Sequence, residues 1–412
     1  MPKSQIAIGF VPLLDSAVLV SAVAGGFTAD EGLDVRLVRE SAWSSIRDRL
    51  AVGHLHAAHM LAPMPIAANL GLFPLSPSLV APFALGLGGN AVTVSNALAE
   101  QMRAEGDRGD LDPVTAGAAL REVVRARRAA RAAPLRFGVV YHFSGHNYEL
   151  RFWLAACGID PDHDVEFVIL PPPYMPDALA AGRIDGYCVG EPWNSSAVMR
   201  GVGRIATVKA RIWRSSPEKV LGVARDFAET RPEALDALLR ALYRAAQWCG
   251  APENREALAS ILAAPAHLGL PRELLLPALS GEILAAPGRV VPVEDFFVTA
   301  AKAATFPWQS HALWFYSQMV RWGDCSHSAH NAAIARDSYR PDLYRRALRS
   351  LGAPLPGANL KVEGALIRAT AVGASAAGLV LGPDGFFDGH AFDPDRLDAY
   401  LATQRRAREV AI

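Results

Sequence analysis

Leu135-Arg136-Phe137-Gly138-Val139-Val140-Tyr141, followed by His142-Phe143-Ser144-Gly145-His146-Asn147 and then the run Tyr148 to Cys157, reads as strand, loop and helix. The same grammar returns downstream. Asp164 to Leu170 is an apolar strand that ends in Pro171-Pro172-Pro173, and a short helix follows over Met175 to Gly182. Ile184 to Val189 is another strand, and it runs into Gly190-Glu191-Pro192-Trp193. Strands alternating with helices predict an α/β fold, and in open α/β sheets ligands bind at the strand ends. The loops named here are those ends. A helix N-terminus carries unpaired N–H groups and a partial positive charge, so the loop into the Tyr148 helix favours an anion. His146 adds a donor whose charge depends on pH; a plain capping or packing role is the competing reading. The Gly190 backbone N–H is open to a ligand. Lys219 follows Pro217-Glu218 and precedes a strand over Val220 to Ala224. It reads either as a site cation or as a surface lysine or partner of Glu218.

Upstream, residues 5–38 form a βαβ pattern: a strand from Ile6 to Val11, a helix capped by Asp15 or Ser16 and stopped at Gly25-Gly26, and a strand from Leu33 to Val38. Ser44 or Ser45 then caps a helix that leaves Trp43 at its mouth. There the indole offers an apolar face and one N–H donor, or else fills a gap in the core. A short strand over Leu55 to Met60 carries His54, His56 and His59. On a strand His54 and His56 share a face while His59 points away, and no neighbouring carboxylate completes a metal site. Gly86-Leu87-Gly88-Gly89 leads into a strand headed by Asn90. The amide can donate and accept there, or the segment is a plain turn. One long polar helix is expected over Asn96 to Ala133, and Arg121, Arg125, Arg127, Arg128 and Arg131 read as its solvated face. Beyond Phe227 the chain is mostly helical and punctuated by prolines. Aromatic-rich stretches there belong to the core, and Cys325-Ser326-His327 with His330 is too weak a pattern to read as a metal site.

The 412-residue chain is long enough for two or three domains, and its formal net charge is zero. No global field recruits nucleic acid or an anionic membrane. The N-terminal Met1 to Phe10 lacks the pattern of a signal peptide, and the most membrane-like stretch, Ala369 to Gly382, is too short and too rich in Ala and Gly to span a bilayer. A cytoplasmic location is expected. The four cysteines are scattered and read as free thiols. Basic residues are almost all arginine, the lysines being Lys3, Lys209, Lys219, Lys302 and Lys361, so Lys219 in a Pro-containing loop stands out. No phosphate loop, nucleotide fingerprint, nucleophile elbow or zinc-protease motif occurs. Carboxylates near the loops, such as Glu191, read as standing alone, with no acid/base pair and no activated nucleophile. The expectation is a binding protein without cofactor or metal, and not an enzyme.

Several segments, in this order, resemble the nitrate-binding proteins of the NrtA type. They are Ile8 to Leu13, Trp43 to Asp48, Ala57 to Pro65, Gly89 to Ser95, His146-Asn147, Arg151 to Ala156, Pro171 to Pro173, Cys188 to Asn194, Pro217 to Gly222 and Met319 to Gly323. Within that family the chain is most similar to the cytoplasmic nitrate/nitrite sensors of the NasS type. The resemblance implies a two-lobed periplasmic-binding-protein-like (type II) α/β fold with a helix-rich C-terminal region. Lobe I would comprise residues 1–94 and 225–412, lobe II residues 95–224, and the ligand cleft would lie between them. It implies nitrate or nitrite held by Trp43, Asn90, His146, Pro172, Gly190 and Lys219. Asn90 stands where the transporter's binding protein has glutamine, one methylene longer. Bicarbonate-binding relatives carry a carboxylate near the lysine position, so Lys219 is expected to favour a monovalent oxyanion. The output implied is release of an RNA-binding antiterminator of the NasT type. The alternative is the binding component of an ABC transporter.

Overall fold

The structure, a computed structural model, describes residues 5–376 and 378–410. Met1 to Ser4, the start of the segment weighed above for an export signal, lie outside the described residues.

Two five-stranded mixed sheets organise the chain. The first contains β1 (Gln5–Phe10), β2 (Asp34–Arg39), β3 (Ala57–Leu61), β4 (Leu79–Ala84) and β10 (Lys219–Ala224), in the order β2-β1-β3-β10-β4. The second contains β5 (Asn90–Ser95), β6 (Leu135–Val139), β7 (Val165–Ile169), β8 (Gly186–Gly190) and β9 (Gly203–Val208), in the order β9-β5-β8-β6-β7. β1, β2 and β3 are parallel, as are β6, β7 and β8. β10 and β5 run antiparallel to both of their neighbours. β3 and β8 are buried along their whole length, as expected of central strands covered on both faces, and the edge strand β4 is buried throughout as well. This is the two-lobed fold the sequence implied.

The chain passes between the sheets twice, and these passages shift the expected boundaries. β5 falls before the expected break at 94/95 and β10 before the one at 224/225, yet β5 pairs in the second sheet and β10 in the first. The crossovers are the segments just ahead of these strands, 85–89 and 213–218. They run side by side: the Leu85 N–H donates to Lys219 O at 2.8 Å, the Gly88 N–H to Ser216 O at 3.0 Å, and Leu87 bridges Pro217. Gly88, at φ 75°, lies so close to Phe296 that a Cβ would stand 2.2 Å from its carbonyl oxygen. The glycines therefore serve a backbone approach to Phe296 rather than to a ligand.

The helix expected over Asn96 to Ala133 is two helices, Asn96–Ala104 and Pro113–Ala129. Asp112 caps the second, accepting the Val114 N–H at 2.9 Å, with Pro113 as its first residue; this start signal outweighs the continuous polar pattern. The C-terminal half is not confined to the first lobe. Its helix Pro232–Gly250 packs on the helix Ala17–Ala24 beside the first sheet. Phe315 and Trp314 meet Tyr148 and Phe152 of the second lobe, and Phe386 stacks on Trp213 at 4.6 Å. Between the sheets the lobes are closed on each other. Arg47 Nη1 donates to the Tyr141 hydroxyl at 2.9 Å, and the Phe73 and Phe143 rings meet edge to face at 5.2 Å. No described helix is long and apolar enough to cross a membrane.

Candidate functional site

The residues singled out in the sequence come from strand ends and helix starts that the two sheets aim at one another. Trp43 is the first residue of α1 (Trp43–Ala51). Neither Ser44 nor Ser45 caps this helix; Ala42 precedes it without a side-chain cap. Asn90 opens β5 and Gly190 closes β8, and the two are paired across the second sheet. The Glu191 N–H donates to Gly89 O at 3.0 Å, which makes Asn90 and Gly190 a non-hydrogen-bonded pair and turns the Gly190 N–H away from β5. His146 is the second residue of α2 (Gly145–Ala156), a helix capped by Ser144, whose hydroxyl accepts the Asn147 N–H at 3.0 Å. Lys219 opens β10. Pro172 is buried in the turn after β7, and no polar contact ties it to the others.

Trp43, Asn90, His146 and Lys219 are all buried, at 0–1% exposure, and Gly190 lies among them. Lys219 Nζ sits 5.5 Å from the Trp43 ring centroid, and a Cβ on Gly190 would meet Asn90 Oδ1 at 3.3 Å and Asp15 Oδ2 at 3.2 Å. Four polar groups reach the end of their side chains without a hydrogen-bond partner among the described residues: Trp43 Nε1, both polar atoms of the Asn90 amide, and both ring nitrogens of His146 and of His59. Buried polar groups are nearly always paired. A convergence of unpaired donors and acceptors at the strand ends therefore describes a place for a small polar ligand.

Around these donors runs a chain of buried ion pairs that the sequence reading missed. Lys219 Nζ donates to Asp15 Oδ2 at 2.6 Å and to Glu218 Oε1 at 2.5 Å. Glu218 Oε2 accepts from Lys209 Nζ at 2.5 Å, and the same ammonium stands 2.8 Å from Glu149 Oε1. His146 Nε2 is 3.4 Å from Glu218 Oε1. His59 Nε2 is 2.9 Å from Asp15 Oδ1, close but poorly aligned for a hydrogen bond, and its ring lies 5.3 Å from that of Trp43. Four expectations change. Asp15 is a member of the ion cluster and not a helix cap. A carboxylate does stand beside His59, although no metal-holding group of three or more His, Cys, Asp or Glu occurs among the described residues. Of the carboxylates near the loops, Glu218 does not stand alone, whereas Glu191 meets only the Ser195 N–H and no charged side chain among the described contacts. And Lys219, the partner of Glu218, has its charge already shared between two carboxylates, so its identity by itself no longer argues against bicarbonate.

Burial sets the protonation states. It opposes ionisation of Asp15, but Lys219 and His59 outweigh it and bring the carboxyl to about 2. Burial also opposes the charge on Glu218, yet Lys209 and Lys219 hold it well below the ordinary carboxylate range. Glu149 goes the other way: burial, only partly offset by Lys209, pushes it up to about 8. Burial raises Glu191 to about 7 despite the Ser195 N–H on its Oε2. His146 is held at about 3 by burial, against the pull of Glu218, and His59 is lowered for the same reason against the pull of Asp15. In the ligand-free chain at neutral pH His146 is thus uncharged, with one ring nitrogen donating and the other accepting, which fits the donor role expected of it. The set can wrap a planar or tetrahedral oxyanion in N–H groups. It offers no exposed nucleophile.

A model of the NMT1-like family matches residues 1–263. The chain belongs to this family. Among its relatives, the nitrate/nitrite binding protein NrtA of Synechococcus elongatus is 32% identical over 96% of this chain and 85% of its own. The bicarbonate transport ATP-binding protein CmpC of the same species is 35% identical over 85% of this chain, which spans half of that longer protein. The crystal structure of the periplasmic nitrate-binding protein NrtA from Synechocystis superposes with a TM-score of 0.85 at 26% identity, covering 98% of this chain and 99% of that one. This NMT1-like chain is therefore of the NrtA type in sequence and in fold over nearly its whole length. The family includes proteins named for nitrate and for bicarbonate, so the ligand has to be argued from the site.

Proposed function

We propose that this protein is a receptor for nitrate or nitrite, which it binds between its two lobes. The observation that carries the reading is the set of buried donors without partners, Trp43 Nε1, the Asn90 amide and the His146 ring, gathered beside Lys219. A small oxyanion accepts from several N–H groups at once, and buried donors that lose water need such an acceptor. The relatives named for nitrate support the same ligand. Calorimetric titration of the purified protein with nitrate, nitrite and bicarbonate tests it. Saturable heat from nitrate or nitrite, lost in Lys219→Ala, is the expected result; heat from bicarbonate alone overturns it.

For the output, the relatives favour the ligand-binding component of an import system, the protein handing its anion to a membrane partner. The second reading is a cytoplasmic sensor that holds an RNA-binding antiterminator of the NasT type and lets it go when the anion binds. What favours it is the likeness to NasS-type sensors together with Asn90, a departure from the transporter pattern at a position that faces the site. Only a state with different affinity for anion and partner couples the two, and lobe closure supplies such a state. Fractionation of cells separates the readings. Recovery from the periplasm supports import, and recovery from the cytosol in a complex that nitrate dissociates supports the sensor.

A further inference from the structure

The ion cluster is self-neutralising. Asp15 and Glu218 supply two carboxylates, Lys209 and Lys219 two ammonium groups, and Glu149 is raised into its neutral form at neutral pH. Every member is within a few per cent of complete burial. An incoming anion therefore meets no spare positive charge. It leaves one uncompensated negative charge in a closed site, and such a charge is costly unless something neutralises it.

His146 is the group placed to do so. Both of its ring nitrogens lack hydrogen-bond partners among the described residues, and Glu218 Oε1 stands 3.4 Å from Nε2; His59, whose ring nitrogens also lack them, stands against Asp15, 2.9 Å from its Oδ1. The groups that face it come from every neighbouring element. They are Glu218 and Lys219 at the start of β10, Asp15 in the turn after β1, Lys209 at the head of the helix Lys209–Ile212, and Glu149 on its own helix. Cys188 on β8 and Tyr339 lie within the field of Glu218, and burial raises both, so neither charges near neutrality. We propose that the anion enters this site together with a proton, taken from solvent onto the free nitrogen of His146 and returned when the anion leaves. The inference rests on the nitrate/nitrite reading and deepens it. The imidazolium formed would lie between the anion and Glu218 and restore neutrality, with both of its N–H groups donating. Without the anion, burial above all, and then Lys219 and Lys209, oppose that charge. With it, one more negative neighbour tips the balance.

Linkage makes this measurable: affinity falls about tenfold per pH unit over the range where His146 is neutral in the free protein and protonated in the complex. Calorimetry with nitrate and nitrite in PIPES and in imidazole, over about pH 6 to 7.5, below the value of about 8 at which Glu149 ionises, reads both that slope and the proton uptake directly. The expected result is close to one proton per anion, with His146→Asn still binding, more weakly, and with a flat pH profile. Glu218→Gln gives the cluster a spare positive charge by another route and is expected to abolish uptake while binding persists. His311→Asn, remote from the cleft, keeps the wild-type slope. Binding without proton uptake overturns the proposal, as does a slope that survives both cluster variants. Absence of heat from either anion at any pH overturns the ligand reading, and this inference with it.

Discussion

Two clusters of buried ions stand in this molecule, and they are built to different ends. At the lobe junction, Asp15, Lys219, Glu218, Lys209 and Glu149 form a chain beside donors that have nothing to bind within the protein. In the C-terminal region, Lys361 donates to Glu363 and to Asp384. Glu363 Oε1 accepts from the Ser310 hydroxyl at 2.6 Å, and Asp384 Oδ1 from the Leu366 N–H at 2.9 Å. There each carboxylate oxygen is used, and what the cluster does is tie the 361–384 segment to the helix Gln309–Arg321. The first cluster draws residues from both sheets and leaves donors over. The second cluster also has a histidine without hydrogen-bond partners among the described residues, His311, whose Nε2 stands 3.4 Å from Glu363 Oε1. What separates the two is that Trp43, Asn90, His59 and His146 gather from both lobes around the first, while the second fastens one segment to one helix.

The sharpest way to break this contrast is to remove one lysine from each. Lys219→Ala leaves two buried carboxylates facing each other and should cost about 3–5 kcal/mol of stability along with anion binding. Lys361→Ala should destabilise by a comparable or smaller amount, read by urea denaturation, while leaving anion affinity where it was. Loss of binding in both would erase the distinction.

Acid comes next. His146 binds its proton less readily in the folded chain, at about 3, than at the ordinary 6.5. The unfolded state therefore takes up more protons as pH falls, and stability declines progressively from about pH 6.5 towards 3. His146→Asn should flatten that decline more than His311→Asn, and denaturation midpoints across that range read the difference.

Smaller effects test the leftover donors one at a time. Trp43→Phe removes a single N–H and should weaken anion binding about tenfold, the worth of one hydrogen bond to a charged group. Asn90→Gln lengthens the amide arm by one methylene. It should change the ratio of nitrate to nitrite affinity by a few fold, with little effect on stability, and competition titration reads it.

Much of this was legible in the residues. Strand–loop–helix runs such as Leu135 to Cys157 gave the α/β class, because apolar strands and a capped helix start are local signals. The sequence also pointed to Trp43, Asn90, His146 and Lys219, which the fold does bring together. It could not show Asp15 and His59 in the same cluster. Asp15 lies 204 residues from Lys219, and a short acidic turn after a strand looks like an ordinary helix cap. Glu149 was hidden because it sits inside the expected helix Tyr148 to Cys157, and Lys209 because nothing local marks the short helix it heads; only the fold turns both towards Glu218. The lobe boundaries slipped because β5 and β10 each follow a crossover, and a strand's own sequence does not say which sheet will receive it.

Gly145, the first residue of α2, would place a Cβ 2.6 Å from Glu218 Oε2. That oxygen is already held by Lys209 and has little room to retreat. A methyl group at this one position would act as a doorstop, propping the two halves apart while each half stays folded. The same helix start that carries His146 thus also sets how far the jaws can shut. A Gly145→Ala chain would be an open receptor, suited to asking which partners recognise the molecule before it has bound anything.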